Sequence, residues 1–124
     1  MLEKQSSVAV YRQIINFFEH EIASGRLAAG QRIESIRSLA VLFKVNPNTV
    51  QKALNELERD ELIFTDRTNG KFITEDQNLI KNLREKLGHN MAKTVSLQAQ
   101  VLGLTFNETI KLIEDVWEEV QDAQ

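Results

Sequence analysis

The sequence predicts a mainly α-helical fold, in which three helices and a short β-hairpin are followed by a tail of two helices. Three observations support this prediction. Apolar residues recur every three or four positions over most of the 124 residues, which is the spacing of one face of an α-helix. The only proline follows an asparagine that can cap a helix. Two short β-prone runs flank a turn that contains Asn-Gly.

Composition excludes several classes of protein. With 42% hydrophobic and 27% charged residues, the chain has the balance of an ordinary globular protein, and its length suits one domain or one small domain with an appendage. It contains no cysteine, which excludes disulfides and thiolate metal sites. The N-terminus does not resemble a signal peptide, and no run approaches the roughly 18 apolar residues of a membrane span. We therefore expect a cytoplasmic protein with no membrane partner.

The first helix is predicted over residues 7–24. Ser7 is the expected N-cap, and Gly25 stands where a helix C-terminal glycine belongs. The apolar face comprises Val8, Tyr11, Ile14, Ile15, Phe18 and Ile22.

A second, short helix is predicted over residues 36–43, with Ser35 as its N-cap. After a two-residue break, Asn46 and Pro47 open a third helix that ends near Asp60. Asparagine is a strong N-cap, and proline at the first helical position removes no hydrogen bond that the helix needs. The inward-facing residues are Ile36, Leu39, Ala40 and Phe43 in the second helix and Val50, Ala53, Leu54 and Leu57 in the third.

A β-hairpin is predicted from residues 62–65 and 71–74, joined by a polar turn that contains Asn69 and Gly70. The order helix, helix, break, helix, hairpin is that of a winged helix-turn-helix. We therefore place a first domain at residues 1–75 and a helical tail at residues 76–124.

The tail is predicted to form a dimer interface. A long helix runs to about Gly103, and Thr105 and Glu108 form a capping box for the last helix. The apolar stripe of two helices must be covered, and two helices are too few to enclose a ligand cavity. A four-helix interface with a second copy would cover it; the alternative is that the stripe packs back on the first domain. The predicted interface residues are Leu83, Leu87, Met91, Phe106, Ile110, Ile113 and Trp117.

In a winged helix-turn-helix the third helix enters the major groove of DNA. The start of this helix offers small and amide side chains and no bulky apolar residue on its groove-facing side. Asparagine and glutamine can pair with adenine, and threonine can contact the thymine methyl group. The hairpin tip would reach the neighbouring minor groove. The DNA-contacting residues predicted on these grounds are Asn46, Asn48, Thr49, Gln51, Lys52, Asn69, Gly70 and Lys71.

The charge distribution is compatible with this interface despite a net charge of −3. Residues 26–52 hold five basic side chains and one acidic side chain, whereas residues 76–124 hold five basic and eight acidic ones. One face of the first domain can therefore be basic. Non-specific affinity for DNA should still be weak, because phosphate neutralisation supplies most of it.

These motifs resemble the GntR family of transcription regulators over about residues 8–74. The matching runs are IASGRLAAGQRI at 22–33, SIRSLA at 35–40, VNPNTV at 45–50, ALNELE at 53–58 and NGKFI at 69–73. The Asn-Pro-Asn-Thr-Val form and the short tail are similar to the YtrA-like subfamily. The resemblance implies a homodimer that reads a palindromic operator, usually as a repressor, and it adds Ser35 and Arg37 to the DNA-contacting residues.

Two positions depart from the family pattern. The family usually has proline where Ala29 and Glu34 stand. The loop over residues 27–35 is therefore expected to be looser. Glu34 would either weaken DNA binding or pair with Arg32 or Arg37 in the free protein.

No catalytic constellation, phosphate-binding glycine loop or spaced set of metal ligands is present in the sequence. We therefore predict that the chain is not an enzyme and has no metal site or cofactor. Two alternatives stay open. The winged helix could serve as a protein-interaction module without binding DNA, and an unknown small-molecule effector could bind in a cleft at the dimer interface.

Overall fold

The computed structural model describes residues 7–123 of the chain. These residues form a mainly helical fold, which confirms the predicted class. The elements are α1 (Ser7–Ser24), α2 (Ile36–Phe43), α3 (Pro47–Arg59), β1 (Ile63–Asp66), β2 (Gly70–Ile73), α4 (Gln77–Val101) and α5 (Phe106–Asp122). The side chains of Ser7 and Val8, predicted as a cap and as part of an apolar face, lie outside the residues whose side chains are described.

The predicted N-caps are formed at the starts of α2 and α3. The Ser35 hydroxyl accepts a hydrogen bond from the N–H of Ser38 at 3.1 Å. The Asn46 side-chain oxygen accepts one from the N–H of Asn48 at 2.7 Å. Between the two helices Lys44 adopts a left-handed conformation with φ of +59°. This conformation ends α2, so that α3 can begin after a short break.

The core of the first part of the chain lies where α1 packs against α3. The four predicted inward residues of α3 are fully buried, and in α2 only Ile36 remains half-exposed. The largest fully buried side chains are Ile14, Phe18 and Ile22 of α1, Val50, Leu54 and Leu57 of α3, and Ile63 and Ile73 of the hairpin.

Part of the loop before α2 pairs with the hairpin through backbone hydrogen bonds. β1 and β2 pair antiparallel, with Phe64 opposite Phe72. On the other edge of β2, residues 31–33 add a short third stretch of backbone pairing. The N–H of Ile33 donates to the carbonyl of Lys71 at 2.9 Å, and the N–H of Ile73 donates to the carbonyl of Gln31 at 2.8 Å. Residues 30–33 of the loop that was expected to be looser thus form backbone bonds to β2, and these bonds do not depend on proline.

The chain divides into two compact units between Lys86 and Leu87. The sequence placed the boundary at residue 75, just before α4 begins. In the structure Ile80 and Leu83 are buried, and the first turns of α4 belong to the same unit as the winged helix. The second unit holds the rest of α4 and all of α5. Within residues 7–123, no helix is both long and apolar enough to span a membrane.

Candidate nucleic-acid interface

Helix α3 has one buried face and one polar face. The buried face carries the four apolar residues of the core. Three or four residues apart on the other side lie Asn48, Gln51, Lys52 and Asn55, of which only Gln51 is half-buried. Residues at this spacing share one side of a helix. The exposed side of α3 is therefore a stripe of three amides and one ammonium group, which we call the amide stripe.

Asn55 is a member of the amide stripe that the sequence analysis did not select. Its side-chain oxygen accepts a hydrogen bond from Nε2 of Gln51 at 2.7 Å, which orients both amides. The signal was present in the sequence, because Asn55 follows Gln51 by four residues and Asn48 by seven. It lies two turns beyond the start of the helix, to which the sequence prediction was confined.

The residues at the start of α3 differ in which side-chain groups remain free to contact a partner. Asn46 is exposed, but its side-chain oxygen is occupied by the helix cap, so its amide nitrogen is the group that remains for a partner. Thr49 is half-buried. The ammonium group of Lys52 lies over the ring of Tyr11, 4.8 Å from its centroid, and the Tyr11 hydroxyl donates a hydrogen bond to Glu56. Lys52 remains exposed while its position is set by α1.

The start of α2 presents two further predicted residues. Ser35 and Arg37 are both exposed, and the Ser35 hydroxyl caps the helix. Within residues 7–123, neither Arg37 nor Arg32 forms a salt bridge with Glu34. The pairing that the sequence left open is therefore not formed, and the guanidinium group of Arg37 is available to an anionic partner.

The tip of the wing is built around the carboxylate of Asp66. This carboxylate accepts hydrogen bonds from the N–H groups of Thr68 and Asn69 and from the Asn69 side-chain nitrogen. These bonds hold the pKa of Asp66 below its ordinary value. Gly70 follows with φ of +107°, a conformation that favours glycine. The exposed side chain of Asn69 thus shapes the turn, whatever else it contacts.

Lys71 points toward α3. Its Nζ lies 2.7 Å from Oε1 of Glu58 and 2.7 Å from the hydroxyl of Thr65, and its side chain is only 19% exposed. Thr65 also donates a hydrogen bond to Glu58. Lys71 therefore ties the wing to α3 in this structure, instead of presenting a free ammonium group at the wing tip.

The Glu58–Lys71 pair predicts a pH-dependent contribution to stability. Burial raises the pKa of Glu58, but the hydrogen bonds from Lys71 and Thr65 and the charge of Lys71 outweigh it and leave the pKa below its ordinary value. A carboxylate with a lowered folded-state pKa stabilises the fold above its unfolded pKa, about 4.3 for glutamate. That contribution is lost as the pH falls through the lowered value.

We therefore expect Glu58→Gln to reduce the free energy of unfolding at pH 7, and the gap from the wild type to shrink as the pH falls below about 4.3. Urea unfolding at several pH values measures this gap. In a Lys71→Met background, Glu58→Gln should change the free energy of unfolding by less, and this change should depend less on pH. A gap of constant size in the wild-type background would show that the pair does not lower the pKa of Glu58.

The predicted dimer residues fall into two groups. Leu83 is buried in the first unit and Leu87 is half-buried. The other five are exposed in the single chain, with Phe106 at 77% and Trp117 at 65% exposed. Further exposed apolar residues of the second unit were not selected from the sequence: Leu97, Val101, Leu102, Leu112, Val116 and Val120. No residue of α5 is buried, so its apolar face is uncovered in one chain.

The described residues contain no group of three or more acidic, histidine or cysteine side chains placed to hold a metal ion. The amide stripe and Arg37 instead offer hydrogen-bonding groups and positive charge. The amide stripe, Arg37 and the wing tip all belong to the first unit.

The chain is similar in sequence to bacterial transcription regulators. The profile of the family described as "Bacterial regulatory proteins, gntR family" matches residues 10–73. The chain is 34% identical over 110 residues to the uncharacterized HTH-type transcriptional regulator YhcF of Bacillus subtilis, covering 89% of this chain and 91% of that protein. It is 39% identical over 75 residues to the HTH-type transcriptional repressor YtrA of the same organism, covering 60% of this chain and 58% of YtrA.

A solved structure extends the similarity beyond the winged helix. The GntR family transcriptional regulator from Listeria monocytogenes is 33% identical to this chain and superposes with a TM-score of 0.82. The match covers 91% of this chain and 99% of that one.

Proposed function

Because the chain belongs to the gntR family of bacterial regulatory proteins, we propose that this transcriptional regulator is a repressor that binds a palindromic operator as a homodimer in the cytoplasm. Its relatives are transcriptional regulators, and a helix-turn-helix binds DNA by placing its recognition helix in the major groove. The repressor role is supported by the similarity to YtrA, which is named a repressor.

The observation that carries the proposal is the amide stripe of α3. A recognition helix reads bases through hydrogen bonds in the major groove, and the amides of asparagine and glutamine match the edge of adenine. Asn48, Gln51 and Asn55 offer three such amides on one exposed side. Arg37 at the start of α2 would hold the protein on a phosphate, since phosphate contacts set the register and base contacts set the specificity.

The second unit supports the homodimer. The exposed apolar side chains of α5 lie at helical spacing: Phe106, Ile110, Ile113, Trp117 and Val120. An uncovered stripe of this kind marks an interaction surface, and two copies related by a two-fold axis would cover the same stripe on each other. Leu83 is left out of this proposed interface because it is already buried. A two-fold dimer would place its recognition helices about 34–36 Å apart, and an effector site between the copies stays a prediction.

Fluorescence anisotropy tests the proposal. Labelled duplex from upstream of the protein's own gene is titrated beside a scrambled duplex, at two salt concentrations. We expect the upstream duplex to bind at least roughly 10³-fold more tightly, within the range for specific sites. Arg37→Ala should weaken binding to both duplexes, because a phosphate contact is independent of sequence. Equal affinity for the two duplexes, together with no preferred duplex in a random pool, would contradict sequence-specific binding.

A further inference from the structure

Arg32 is held beside the wing by the backbone. It lies in the stretch that pairs with the outer edge of β2, directly opposite Phe72. The hydrogen bonds of Gln31 and Ile33 to β2, at 2.8 and 2.9 Å, fix the residues on both sides of it. Arg32 is therefore part of the sheet of the wing, although it precedes β2 by almost forty residues.

The side chain of Arg32 lies across the wing glycine. A Cβ atom added to Gly70 would stand 3.1 Å from Nε of Arg32 and 3.5 Å from Nη2. A contact of 3.1 Å is tighter than most Cβ contacts, so a side chain at position 70 would require the guanidinium group to shift by a few tenths of an ångström. Glycine at this position suits the positive φ of the turn, and the guanidinium group of Arg32 lies close beside it.

The charge of Arg32 is available, whereas that of Lys71 is not. Arg32 is exposed and forms no salt bridge within residues 7–123. Lys71, one of two basic residues in the predicted wing beside Arg67, is bound to Glu58 on the side of the sheet that faces α3. Arg32 and Phe72 share the opposite side, because residues directly paired across an antiparallel bridge project to the same side.

Arg32 also lies close in sequence to the DNA-facing start of α2. Only two residues separate it from Ser35 and four from Arg37. An extended chain advances about 3.3 Å per residue, so Arg32 and Ser35 are roughly 10 Å apart at most. One short segment therefore carries cations both to the wing and to the start of α2.

We propose that Arg32 gives the wing a contact to operator DNA: its guanidinium group, which lies beside Gly70, binds a backbone phosphate next to the wing. The assignment rests on the proposed DNA-binding function. Because the backbone of Arg32 is already fixed in the sheet, less conformational entropy is lost on binding than for a cation in a free loop. Lys71 acts as a positioning residue that holds the wing on α3.

The salt dependence of operator binding tests this assignment. Each phosphate contact adds about 0.9 to the slope of log affinity against log salt concentration. Two copies of Arg32→Ala in a dimer should lower the slope by about 1.8, and they should weaken binding roughly 10- to 60-fold at 0.1 M salt. The loss should be equal for operator and scrambled duplex. Arg32→Lys should restore most of the slope.

The matched control is Arg26→Ala, which removes a neighbouring exposed arginine that is paired with Glu21 at 2.5 Å. This variant should leave the slope unchanged. Thermal unfolding should be nearly unchanged in Arg32→Ala, since only an exposed side chain is removed. If the wild type binds the operator and Arg37→Ala weakens it, but Arg32→Ala keeps the wild-type slope, the role of Arg32 is excluded and the proposed function stands. If the wild type binds no DNA, both are excluded.

Discussion

Replacing Ile113 by aspartate is expected to split the homodimer and to weaken operator binding by roughly 100-fold or more. Ile113 is the central residue of the apolar stripe on α5 and is 36% exposed in the single chain. In a four-helix interface its side chain would be enclosed, and an unpaired carboxylate there costs several kcal/mol. In a dimer, binding of one subunit to its half-site holds the other subunit near the second half-site at an effective concentration in the millimolar range. A monomer lacks this gain in affinity.

Sedimentation equilibrium measures the first effect and anisotropy the second. The only tryptophan, Trp117, adds an internal probe. It is 65% exposed in one chain, so its emission should shift to longer wavelength when the dimer dissociates. Asn107→Asp is the control, because it adds the same charge to α5 on the side away from the stripe. An Ile113→Asp protein that remains a dimer would exclude α5 as the interface.

Substitutions on the buried side of α3 should lower stability, whereas substitutions on its exposed side should lower DNA recognition. Leu54→Ala removes a fully buried side chain, and the resulting cavity should lower the free energy of unfolding by about 2–5 kcal/mol. Asn48→Ala changes an exposed residue of the amide stripe. It should alter the free energy of unfolding by less than about 0.5 kcal/mol, yet lower the preference for operator over scrambled duplex by about 1–3 kcal/mol for each half-site.

Urea unfolding and anisotropy on both variants provide the comparison. Anisotropy must be run where the Leu54→Ala protein is still folded, and there its preference for the operator should match the wild type. If Asn48→Ala lost stability and kept its preference for the operator, the exposed side of α3 would not be the reading surface.

The fold could be predicted where local signals coincided. Ser35, Asn46 and Thr105 cap α2, α3 and α5 as their sequence positions indicated, because a cap is a bond between residues two or three positions apart. The buried side of α3 followed from the spacing of its apolar residues. In these cases the information lies within one or two helical turns.

Contacts between residues that are distant in the sequence could not be predicted and became visible only in the structure. Lys71 looked like a free cation because its partner, Glu58, lies thirteen residues away. Pairing of residues 31–33 with β2 uses backbone groups, which leave no mark in the sequence. Leu83 has the same spacing as the exposed residues of the tail, and only its packing shows that it belongs to the first unit. Asn55, by contrast, was accessible to helical periodicity and was overlooked.

The most direct test of a two-fold dimer that reads DNA through α3 is selection of bound sequences from a pool of random duplexes by the wild-type protein. We expect enrichment of a palindrome whose two half-sites lie about 10–10.5 base pairs apart from centre to centre, or a multiple of that distance. Enrichment of a single asymmetric site would contradict the dimer, and no enrichment at all would contradict sequence-specific binding.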